Sequence, residues 1–64
     1  SRVDFIHKLS ISLKEANESE YWLELLHQSN YLEKKLFDSL YSDCKELLKL
    51  LISIIKKSKQ NSGK

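Results

Sequence analysis

Apolar residues recur along this chain with helical spacing. With successive residues set about 100° apart around an axis, Phe5, Leu9, Leu13, Ala16 and Leu23 fall within one narrow arc. They predict a first helix over residues 3–28, with that arc as its seam. A second, weaker apolar stripe of Ile11, Trp22 and Leu25 lies nearly opposite. The pattern breaks at Ser29, Asn30, Tyr31 and Leu32, so a turn is expected over residues 29–33. Asn30 suits the left-handed conformation that ends a helix, and Tyr31 and Leu32 are expected to fold back onto the hairpin. A second helix is expected over residues 34–57. Its apolar positions, from Leu36, Phe37, Leu40, Tyr41 and Cys44 through Leu47, Leu48, Leu51, Ile52, Ile54 and Ile55, cover close to half its circumference. Polar and charged side chains fill the remainder, and the basic residues at its end suit the negative C-terminal dipole.

The expected fold is all-α: an antiparallel helical hairpin with more apolar surface than two helices can hide. One partner helix covers a seam about two residues wide in every seven, and the second helix presents a broader face typical of a bundle. The hairpin is therefore expected to complete a four-helix up-and-down bundle. Either two hairpins pair by self-association, or further N-terminal helices do the covering.

Composition supports this and removes alternatives. The chain has 64 residues, no proline and one glycine, as a helical protein should. A domain of this size buries only about 60% of the surface its unfolded chain exposes, which makes it marginal alone. One cysteine, Cys44, excludes a disulfide-stapled miniprotein. No apolar run reaches the roughly 18–20 residues of a membrane span, and no signal peptide is visible, so a cytoplasmic protein without membrane attachment is expected. The absence of methionine suggests a processed or truncated piece.

The formal net charge of +2 hides an asymmetry. Residues 1–49 carry 7 basic and 9 acidic groups, whereas residues 50–64 carry 4 basic and none acidic. Residues 58–64 are expected to form a basic flexible tail. Lys45, Lys49, Lys56, Lys57 and Lys59 are candidate phosphate contacts, although a solvated lysine face has the same composition.

Little in the sequence suggests catalysis. Glu24 and His27, like Asp4 and His7, stand at the i, i+3 spacing of carboxylate-bridged metal bundles. The apolar face of the second helix supplies no matching Glu, so solvated or capping histidines are expected, with no metal. Cys44 sits mid-arc among Leu40, Leu47 and Leu48, the setting of a small buried hydrophobe rather than a nucleophile. No phosphate loop, zinc pattern or Ser/His/Asp spacing is present, and no cofactor or small-molecule substrate is expected. Trp22 is the most distinctive residue. It is either a rim aromatic packed over the hairpin or an interface anchor, and Ile11, Trp22 and Leu25 form the candidate oligomer interface.

The segment over residues 4–18, followed by Tyr21-Trp22-Leu23-Glu24-Leu25-Leu26, resembles the third helix of the four-helix-bundle proteins encoded in intervening sequences of bacterial 23S ribosomal RNA genes. The segment over residues 44–55 is similar to the last helix of that family, although its Leu/Lys-rich pattern would match many bundles. The resemblance covers about residues 4 to 58 and only the C-terminal half of the family domain. It implies a small cytoplasmic bundle that assembles into ring-like pentamers and whose role is poorly defined. A related, strongly basic group serves as an accessory to reverse transcriptases and binds nucleic acid; this chain is only mildly basic. The expected function is thus a non-enzymatic, self-associating bundle protein, a dimer of hairpins or a pentamer, with RNA as a further candidate partner. The alternative is a pure protein–protein assembly module with no nucleic-acid binding.

Overall fold

The computed structural model describes residues 1–62, with side chains through residue 60. Two helices, α1 (Arg2–Gln28) and α2 (Lys34–Ser62), form an antiparallel hairpin measuring 49 × 15 × 12 Å. At its start, the Ser1 hydroxyl accepts a hydrogen bond from the Asp4 amide at 3.3 Å and caps α1.

The turn closes as the sequence indicates. Asn30 has φ 66°, the left-handed value that a short polar residue tolerates. Its amide donates to the His27 carbonyl at 3.1 Å, and the Tyr31 amide donates to the Leu26 carbonyl at 2.9 Å. These paired bonds are the Schellman arrangement that satisfies the last helical carbonyls. Tyr31 does not fold back as expected: it is 82% exposed. Leu32 is half-buried instead, and its carbonyl accepts from His27 Nδ1 at 3.0 Å. A carbonyl only accepts, so Nδ1 carries the hydrogen. His27 also stacks on Phe37 with ring centroids 4.3 Å apart, which ties the turn to the first turns of α2.

The buried seam alternates steps of three and four residues. On α1 it passes through Ile6, Leu9, Leu13, Ala16, Glu20, Leu23 and His27, and on α2 through Phe37, Tyr41, Cys44, Leu48, Leu51, Ile55 and Ser58. This heptad spacing is that of a two-helix seam with interlocking side chains. Its centre is Ala16, Leu48 and Leu51, with Leu9 and Leu13 packed against them. Phe5, expected in the seam, is 52% exposed and Ile6 takes its place. The seam runs through Glu20 and His27, polar positions that a count of apolar residues skips.

The second helix continues to Ser62, five residues past its expected end at residue 57. The expected flexible tail over residues 58–64 is thus helical as far as Ser62, and residues 63–64 lie outside the described residues. Lysines, Ser and Gln do not terminate a helix by themselves. Among the described residues, no helix is long and apolar enough to cross a membrane.

Candidate assembly face

The seam divides the hairpin into two unlike flanks. One is polar. The Tyr41 hydroxyl donates to Glu24 Oε1 at 2.7 Å, and Lys45 Nζ lies 3.1 Å from Glu20 Oε2. The Lys45 ammonium also stands 5.1 Å from the centroid of the Tyr41 ring, itself stacked on Phe37 at 5.0 Å. The hydrogen bond to Glu24 raises the Tyr41 hydroxyl above its ordinary pKa, with burial and the Glu20 charge adding to the effect. Lys45 is likewise raised, first by its hydrogen bond to Glu20. Glu20 and Glu24 thus each have a donor facing them from the other helix, while Asp38 pairs with Lys34 on its own helix at 2.8 Å.

The opposite flank is an open apolar groove. Its walls are Trp22, Leu23 and Leu26 from α1 and Leu40 and Leu47 from α2, its floor is Ala16 and Cys44, and Ser19 and Asp43 lie on its rim. Leu26, Leu40 and Leu47 are all exposed despite being apolar. Trp22 is 54% exposed and meets Tyr21 edge-to-face with centroids 5.4 Å apart. Exposed apolar side chains scattered singly are ordinary; a contiguous apolar channel shared by two helices is a candidate contact surface.

The structure separates the three candidate interface residues. Trp22 lines the groove, whereas Ile11 and Leu25 are exposed without lining it. Among the basic candidates, Lys45 pairs with Glu20 and stands over the Tyr41 ring. Lys49, Lys56, Lys57 and Lys59 are exposed. Sequence reasoning missed both the polar flank and the groove residues Leu26, Leu40 and Leu47 as a group. The signal was present: extending the three–four alternation through Glu20 and His27 places Glu24 and Lys45 on one flank and Leu26, Leu40 and Leu47 on the other.

Cys44 is buried, its Sγ donates to the Ala16 carbonyl at 3.3 Å, and burial pushes its thiol pKa up. Glu24 and His27 turn to Tyr41 and to the Leu32 carbonyl rather than to one another. Among the described residues, no group of three or more His, Cys, Asp or Glu could hold a metal ion.

A family model described as 23S rRNA-intervening sequence protein matches residues 1–53. Among solved structures, a protein with unknown function from the S23 ribosomal protein family, from Bacteroides thetaiotaomicron VPI-5482, superposes with a TM-score of 0.84 at 59% identity. The alignment covers 88% of this chain and 50% of that one, so the chain spans about half the length of the structure it matches. No curated protein matches it.

Proposed function

The chain belongs to the 23S rRNA-intervening sequence protein family, and on that premise we propose that it is a non-enzymatic assembly module whose groove is covered by further helices to complete a four-helix bundle. The observation that carries this reading is the apolar groove walled by Trp22, Leu23, Leu26, Leu40 and Leu47 on a hairpin whose opposite flank is closed by Glu20–Lys45 and Glu24–Tyr41. A rod two helices wide has nowhere else to put that surface. The relative's uncovered half, equal in extent to the matched half, has the size of the missing layer.

Trp22 reports on the groove directly. When the half of the Bacteroides thetaiotaomicron protein that this chain does not span is added as a peptide, or when the chain is concentrated, emission from Trp22 moves to shorter wavelength and its quenching by iodide falls. If neither addition moves the emission, the groove is not an assembly face.

A second reading is supported by the run of Lys49, Lys56, Lys57 and Lys59, all exposed, on a stretch with no acidic residue after Glu46. In this reading the assembled bundle is also an RNA-associated accessory. Binding to ribosomal RNA would then weaken steeply with rising salt, because released counterions supply the driving force. Affinity at low salt no better than that of a neutral control protein removes it.

A further inference from the structure

The seam assigns the residues beside it to one flank or the other. Residues that come directly before a seam residue lie on the groove side: Ser19, Trp22, Leu26, Leu40, Asp43 and Leu47 all do so, and all line the groove. Residues that come directly after one lie on the polar flank, as Glu24 and Lys45 do after Leu23 and Cys44. The same rule sorts the basic residues of the half of the rod away from the turn. Lys14, Lys49, Lys56 and Lys59 follow Leu13, Leu48, Ile55 and Ser58, so all four belong to the polar flank, joined by His7 after Ile6. Lys8 and Lys57 precede Leu9 and Ser58 and belong to the groove side.

No carboxylate shares this strip. Asp4, Glu18 and Glu46 stand on the outer backs of the helices, and Glu15, directly before Ala16, stands on the groove side. Toward the turn the flank changes sign at Glu24 and Asp38. Among the described residues the ion pairs are Ser1–Asp4, Lys34–Asp38 and Lys45–Glu20, so none of the four exposed lysines is held by a carboxylate. Their spacing is regular. Lys49 and Lys56 are seven residues apart, two turns or about 10 Å along α2. One further turn from the Glu20–Lys45 pair sets residue 16 level with residue 49, so Lys14 stands across the flank from Lys49. The short polar side chains of Ser10 and Asn17 share an open hollow with Lys14.

We propose that the strip of Lys14, Lys49, Lys56 and Lys59 is a site for the phosphodiester backbone of RNA, held without reading its sequence. This deepens the RNA-associated reading and rests on it. The contact moves from the lysine-rich end of α2 as a whole to one flank that both helices build. Lys14 joins the site, and Lys57 leaves it. Each ammonium is a compact point charge suited to phosphate, and no Arg stands on the strip to grip a base edge with two hydrogen bonds. Contacts of this kind position a nucleic acid but carry no sequence information. The strip lies on the flank opposite the groove, so helices seated in the groove do not cover it.

Fluorescence anisotropy of a labelled, mixed-sequence RNA duplex titrated with the full 64-residue chain tests the proposal. Affinity should fall about a hundredfold between about 0.05 and 0.2 M NaCl, the response to about four neutralised phosphates. Two double variants of equal net charge separate position from charge. Lys14→Ala/Lys56→Ala should weaken binding by about tenfold or more at about 0.1 M NaCl and flatten the salt slope by about two. Lys8→Ala/Lys57→Ala should keep the slope of the parent and stay within about twofold of its affinity. Alanine is at least as good a helix former as lysine, and circular dichroism checks that both variants stay helical. A second duplex of permuted sequence should bind equally well. A preference of about tenfold or more between the two duplexes overturns the backbone site. Equal losses in the two variants overturn the strip and leave the RNA-associated reading standing with a diffuse contact. Binding by the parent chain at low salt no tighter than that of a neutral control protein overturns both.

Discussion

The Cys44 thiol donates a hydrogen bond to the Ala16 carbonyl at 3.3 Å, linking two small buried residues across the hairpin. The bond requires a side chain at position 16 short enough for the second helix to reach the backbone of the first. Enlarging that position is therefore expected to separate the helices. Ala16→Leu should destabilise the fold by about 1–3 kcal/mol through overpacking, read as a lower urea midpoint with an unchanged slope. A midpoint equal to that of the parent chain would show that the contact does not set helix spacing.

Burial and the raised pKa both hold the Cys44 thiol in its unreactive protonated form. Alkylation by iodoacetamide at neutral pH should therefore be much slower in the folded chain than in urea. Equal rates in both conditions would contradict the buried position.

The seam and the outer face differ in what truncation removes. Leu48→Ala and Leu51→Ala each delete buried methyl groups at the centre of the core and should cost about 2–5 kcal/mol. Ile11→Ala, at an exposed site, should cost well under about 1 kcal/mol at concentrations where the chain is monomeric. Denaturation curves of the three variants give the comparison, and a reversed order would mean that the buried seam is misplaced.

Asn30 adopts φ 66°, which a β-branched residue strongly resists. Asn30→Val should destabilise the hairpin by about 1–2 kcal/mol, whereas Asn30→Gly should be neutral or slightly stabilising. The thermal midpoints of the two variants should lie on opposite sides of the parent or nearly so.

Stability of this chain should fall as pH rises into the alkaline range. Cys44, Tyr41 and Lys45 are all raised in the folded state above ordinary values of 9.0, 10.0 and 10.5. The folded form therefore holds these protons more tightly than the unfolded chain does. Their stabilising contribution is complete below the unfolded values and is lost as pH rises through the folded ones. The thermal midpoint should stay level up to about pH 9 and fall above it. Tyr41→Phe should lower the plateau and shallow the fall. A midpoint that climbs across that window would refute the assignment.

Helix positions and the turn were legible in the sequence because they depend on local periodicity and one residue type. Asn30 announces the left-handed stop, and the apolar spacing of Leu9, Leu13 and Ala16 announces α1. The exact phase of the seam was less legible, since Glu20 and His27 occupy it for reasons that lie on α2: Lys45 pairs with Glu20, and Phe37 stacks on His27. The same cross-helix dependence hid the groove. Leu26 looks like any helical leucine until Leu40 and Leu47 are brought beside it. The extension to Ser62 was missed because a polar, lysine-rich composition reads as a tail although those residues, taken singly, are adequate helix formers.

The regular alternation of three and four along both helices carries a consequence for how this chain can change length. One residue inserted between Leu9 and Leu13 would rotate every preceding side chain by about 100° relative to those that follow. Ile6 would leave the seam, and whatever lay beside it would enter. Seven inserted residues, placed in both helices at matching depth, would restore each side chain to its own flank and lengthen the rod by about 10 Å. Insertions and deletions in the family are therefore expected to collect in the Ser29–Leu32 turn or to come in sevens, so that the hairpin grows by whole heptads.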